Sequence, residues 1–144
     1  MSSDKEQQFE AMGGRAAVVR ITSAFYDRIY ADPWLSQFFE GIPRDHIESQ
    51  QTDFMQAALG GHNQYGGKTP PHAHKHINIT DDVFNARQGF LMEAFKEADA
   101  HDDMVALWLK IEDTFKRKVV KASIDDCEMR YSTEGIRDFP NPNA

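Results

Sequence analysis

Apolar positions recur along this chain at steps of three and four residues, the spacing that lines one face of an α-helix. Val18, Ile21, Phe25 and Ile29 share such a face and predict a helix from about Arg15 to Tyr30. Upstream, a short helix over Asp4 to Met12 stops at Gly13-Gly14, because glycine accepts the left-handed backbone that ends helices. Asp32-Pro33 breaks the long helix and opens a short one carrying Trp34, Leu35, Phe38 and Phe39, which closes at Gly41. A further helix runs from about Pro43 to Leu59, with Ile47, Phe54, Met55 and Ala58 as its apolar stripe, and ends at Gly60-Gly61. Thr80-Asp81-Asp82 caps the next helix, whose inward residues are Phe84, Leu91, Ala94, Phe95 and Ala98. The last starts near Asp102 and turns Met104, Trp108, Ile111, Phe115 and Val119 inward. No long stretch alternates with period two, so the fold class is all-α.

From about Ser123 the stripe fades. Met129, Tyr131, Ile136 and Phe139 are too scattered to build a core, and Pro140-Asn141-Pro142-Asn143 punctuates the end. The chain therefore divides into a helical domain, 1–122, and a C-terminal tail, 123–144, expected to be partly disordered or docked on the surface. Every candidate site residue lies before residue 80 or at Phe84, so the site is expected to stand independent of the tail.

Composition narrows the function classes. The 144 residues carry a net charge of -7, which argues against a nucleic-acid partner, since binding phosphates needs a surplus of bases. The densest basic stretch, Lys116-Arg117-Lys118, falls late in a predicted helix, where it complements the helix dipole. The single cysteine, Cys127, cannot pair within the chain and fits a reducing compartment. The polar start Met1-Ser2-Ser3-Asp4-Lys5-Glu6 does not read as a signal peptide, and no apolar run is long enough to span a bilayer. A cytoplasmic protein with no membrane partner is expected.

Polar groups set into apolar stripes are the candidate chemistry. At about 100° per residue, Gln51 falls in the middle of the Ile47–Phe54–Ala58 stripe, Gln50 on its edge and His46 on the solvent side. A buried amide needs a hydrogen-bond partner, either a neighbouring carbonyl or a bound ligand. Tyr26 sits at the margin of its own stripe, where an ordinary core tyrosine with a wet hydroxyl is the plainer explanation. Four of the six histidines stand between His62 and His76. His72, His74 and His76 alternate, and on an extended strand would point one way and hold zinc. Against zinc, the surroundings are helical, and no carboxylate or cysteine is placed to complete a shell. His62, His72 and His76 are expected at solvated loop positions.

The order of landmarks resembles the truncated haemoglobins, the two-over-two helical globins, and most closely their group I. The shared features are Gly13-Gly14, Phe25-Tyr26, Asp32-Pro33 with Phe38-Phe39 and Gly41, and Gln51 with Phe54 and Leu59-Gly60-Gly61. Tyr65-Gly66-Gly67-Lys68, Ala73-His74 and Phe84 complete them. The match spans roughly residues 7 to 121. The resemblance implies a haem b protein with His74 as the iron's protein ligand. It implies a cofactor pocket of Phe39, Ile47, Phe54, Lys68, Ile79 and Phe84, with Lys68 near a propionate. Tyr26 and Gln51, with Gln50 beside them, would form the distal side where a gas binds. Gln50 stands where some group I members carry an iron-binding histidine. No histidine follows His101, so the covalent haem attachment of some members has no counterpart. Arg87 occupies a position that is often apolar in group I and tryptophan in group II, which argues against group II.

The implied activity is reversible binding of oxygen, carbon monoxide or nitric oxide. The same residues serve a nitric oxide dioxygenase, which needs a reductase partner. Zinc binding through His72, His74 and His76 is the third reading, and it belongs to another class.

Overall fold

The structure, a computed structural model, describes residues 4–61, 74, 76–121, 124–128 and 135–142. Five α-helices make up most of it: α1 (Asp4–Ala11), α2 (Gly14–Ala31), α3 (Arg44–Ala58), α4 (Asp81–Glu97) and α5 (Asp102–Val119). A 3-10 helix, Leu35–Phe39, links α2 to α3. Among the described residues the only extended pairing is two isolated bridges, Ile77 with Arg137 and Ile79 with Val120. No helix among them is long and apolar enough to cross a membrane.

Helix α2 is the hub, packing against α1, α3, α4 and the 3-10 helix. Its apolar stripe explains that role, since Val18, Ile21, Phe25 and Ile29 are all buried. The turn before it requires glycine. Gly13 has φ +113°, and a Cβ there would come within 2.8 Å of the Ala17 Cβ. At the α2 exit the Asp32 carboxylate accepts from the backbone N–H groups of Trp34 and Leu35, at 3.0 and 2.7 Å, and so starts the 3-10 helix. Helix α4 begins at Thr80, whose hydroxyl accepts from Val83 N–H at 3.2 Å.

Helices α4 and α5 form the second pair. Trp108 of α5 stacks edge-on against Phe95 of α4, with ring centroids 5.5 Å apart. Surface charges tie the layers together: Arg28 of α2 reaches Glu93 and Glu97 of α4, and Arg44 of α3 binds Asp27 of α2. Such exposed pairs contribute at most about 1 kcal/mol each, so the apolar interior dominates.

Candidate functional site

The apolar stripe of α3 splits in two. Thr52, Met55 and the following Leu59 are buried against the core. Ile47, Gln51 and Phe54 lie about a quarter-turn away and are only half-buried. Ala58, expected in the stripe, is exposed. The core thus covers one side of the stripe fully and the other side, which carries Gln51, only in part. Gln50 is exposed, as is His46.

Tyr26 is buried at the centre of an aromatic group. Its ring lies 5.0 Å from Phe25, 5.8 Å from Phe39 and 6.2 Å from Tyr30. Burial pushes its phenol far above the ordinary tyrosine range, partly offset by the nearby Arg87 guanidinium. The hydroxyl therefore stays protonated and able to donate at any physiological pH. Burial also raises Tyr30, whose hydroxyl donates to the Ile42 carbonyl at 2.9 Å.

His74 belongs to a second aromatic group. Its half-buried ring stands edge-on to Phe115 of α5 at 5.0 Å, and Phe115 lies 6.1 Å from the buried Phe84 of α4. The backbone around it is held from three directions. Lys121 Nζ donates to the His74 carbonyl at 2.6 Å, and the Ile77 N–H donates to the same oxygen at 3.1 Å. Ile79, itself buried, accepts through its carbonyl from Lys121 N–H at 2.8 Å. The tail supplies the third hold. Arg137 N–H donates to the His76 carbonyl at 2.7 Å, and Asn78 N–H donates to the Arg137 carbonyl at 2.8 Å.

The tail is therefore closer to the site than the fading apolar pattern implies. The Arg137 guanidinium also donates to the carbonyls of Phe38 and Glu40, and Trp34 Nε1 donates to the Phe139 carbonyl at 2.7 Å. Phe139 stacks on Phe38 at 5.0 Å. One correction follows: His76, expected in solvent, is 6% exposed. The docked stretch around Arg137 lies along it, a long-range contact that local sequence does not announce.

Between the two aromatic groups stands Arg87 of α4. The carbon of its guanidinium lies 5.2 Å from the Phe25 ring, 5.7 Å from Phe84 and 5.0 Å from Phe115. Its two terminal nitrogens both donate to the carboxylate of Glu112 on α5, which is buried. Burial works against the guanidinium's charge, but Glu112 more than restores it, so Arg87 is held firmly cationic. The sequence marks Arg87 only as a departure from the group I pattern, and it gives no role to Glu112. The available signal was a carboxylate on the inward face of α5, four residues after Trp108.

The structure thus brings Tyr26, Phe39, His74 and Phe84 into two linked ring groups and leaves Gln50 at the surface. Lys68, His62 and His72 lie outside the described residues. Among the described residues no three metal-ligating side chains of His, Cys, Asp or Glu come together.

Comparison with known proteins adds a family. The model of the bacterial-like globins matches residues 7–121. A group 1 truncated haemoglobin of Tetrahymena thermophila is 33% identical over 103 residues, covering 72% of this chain and 85% of that protein. The crystal structure of the Tetrahymena pyriformis truncated haemoglobin in its Fe(III) form superposes with a TM-score of 0.70. It is 31% identical and covers 78% of this chain and 96% of that one. A Synechococcus two-over-two haemoglobin, solved in the cyanomet state with covalently attached haem, superposes with a TM-score of 0.69 at 26% identity. It covers the same 78% of this chain and 96% of its own.

Proposed function

The chain belongs to the bacterial-like globin family, as a truncated haemoglobin with group 1 relatives, and from that premise we propose that it holds haem b between His74 and Tyr26 and binds oxygen or another diatomic gas reversibly. The observation that carries this is the pairing of a half-buried imidazole with a buried phenol, each in its own aromatic group, with the Arg87 guanidinium linking the two groups. Haem iron, if bound, would supply the metal that takes up a small gas, with the polarity of the surrounding pocket deciding what stays.

The residues present fit such a group. Phe39, Ile47, Phe54 and Phe115 are large apolar side chains that the core covers only in part, which suits a flat apolar cofactor. Ile79 and Phe84 back that wall from the interior. His74 is our assignment for the iron's protein ligand. Its carbonyl is held by both Lys121 Nζ and the Ile77 N–H, so little backbone freedom is left to lose on binding. Lys68 is assigned to a propionate on the resemblance alone.

Tyr26 and Gln51 are assigned as donors to the gas. The phenol is kept protonated by burial, and Gln51 lies on the half-buried side of α3. Hydrogen bonds of this kind are worth about 1 kcal/mol each, which slows release of a ligand that draws negative charge. Gln50, one position away and exposed, is the weaker neighbour of Gln51.

An absorption spectrum of the purified protein with added haem, taken with and without carbon monoxide, is the test. A strong haem band that shifts with carbon monoxide is expected in the wild type. His74→Ala should lose that band unless imidazole is supplied, while His76→Ala should keep it. A colourless protein carrying stoichiometric zinc sinks the proposal, and a normal spectrum in His74→Ala moves the ligand elsewhere.

A further inference from the structure

The interior between α4 and α5 holds a charged pair where a two-layer helical fold has only apolar contacts to offer. Arg87 and Glu112 meet through two hydrogen bonds, with Glu112 3% exposed. Stability does not account for this choice. Apolar residues of similar volume at both positions are often as stabilising as a buried ion pair or more so. The placement of the guanidinium is also specific. Three aromatic rings surround it at 5.0 to 5.7 Å, one next to Tyr26 in sequence and one touching the His74 ring. Ring faces attract a cation and have nothing to offer its counter-ion.

The pair is not electrically silent toward the site. At the Tyr26 phenol, the downward pull of Arg87 on the pKa exceeds the upward push of Glu112. The near charge is the positive one. Glu112 takes two of the five N–H donors of the guanidinium, which has capacity for another acceptor.

We propose that Arg87 sets ligand specificity at this site, making it favour small monoanions such as azide and nitrite over neutral ligands. This rests on the haem reading above. Glu112 tunes the preference: it holds the guanidinium between the rings and moderates its charge. The group of ligands follows from chemistry alone, since a fixed cation in a water-poor aromatic setting interacts strongly with a full negative charge and weakly with a neutral molecule.

The experiment is a set of spectral titrations on the haem-loaded protein. Ferric wild type, Glu112→Gln and the double variant Arg87→Met/Glu112→Met are each titrated with azide and, separately, with imidazole. The ferrous forms are titrated with carbon monoxide. Glu112→Gln should bind azide more tightly than wild type. The double variant should bind it about tenfold more weakly, equivalent to about 1.4 kcal/mol. Imidazole and carbon monoxide affinities should stay level across the three. If the azide affinities are also level while carbon monoxide binds normally, the specificity proposal is overturned and the haem reading stands. If the wild type takes up no haem, both fall together. Should the double variant fail to fold, Glu112→Gln decides alone, and an unchanged or weakened azide affinity overturns the proposal.

Discussion

Tyr26 shows how one side chain acquires a property its sequence neighbours do not reveal. The phenol is buried among rings and near a guanidinium, and burial wins, so it ionises far later than an exposed tyrosine. An unfolded chain loses that proton near the ordinary value of 10.0. Above that pH the unfolded state holds fewer protons than the folded one, so folding stability falls as pH rises. Denaturation midpoints at pH 9, 10 and 11 should therefore drop in the wild type, and drop less steeply in Tyr26→Phe. Tyr30, also raised, sustains the remaining slope. A parallel decline in both proteins would remove Tyr26 from the buried set. Tyr26 was identifiable in sequence only as a residue at the edge of a stripe. What places it inside is the approach of Phe39 from the 3-10 helix, which helix periodicity cannot foresee.

At the level of the element, α3 is the most instructive. Its sequence shows one apolar stripe, but the structure treats its two sides differently, burying Met55 in the core and leaving Phe54 half-buried at the core's edge. The helix itself was legible because its apolar residues recur at helical spacing and Gly60-Gly61 stops it. The division was not, since nothing along one helix says which neighbour covers which side. The two sides predict different phenotypes. Met55→Ala should destabilise the haem-free protein by about 2–5 kcal/mol, the usual cost of emptying a core position. Phe54→Ala should cost the haem-free protein less, yet speed haem loss to an excess of a haem-scavenging apoprotein. Equal destabilisation of the haem-free protein by both would erase the distinction. The charged pair of α4 and α5 teaches the same lesson. Arg87 and Glu112 are 25 residues apart, and only the crossing of their helices makes them partners.

Across the whole molecule, the helical frame is the part local sequence conveys well, because each helix carries its own periodicity and stop signals. The tail is the part it conveys poorly. Arg137 and Phe139 are held by backbone pairing, by the Arg137 guanidinium and the Trp34 indole on backbone carbonyls and by one ring contact, and such long-range contacts leave no periodic pattern in the sequence. Those contacts lie two and four residues beyond His74, at His76 and Asn78. Removing residues 123–144 should leave a carbon monoxide spectrum but release haem to a scavenging apoprotein several-fold faster than the full chain. Identical release would restore the site's independence from the tail. The separation of these partners also bears on biosynthesis. Asn78 waits for Asp138, 60 positions later, before its side chain is paired. A ribosome adding about 5–20 residues per second makes that an interval of several seconds. During it the nascent chain lacks the tail's hold on His76 and Asn78 beside its histidine, so cofactor captured early would be held less tightly. Maturation to the tight form then follows synthesis of the Arg137–Asp138 stretch, not the folding of the helices.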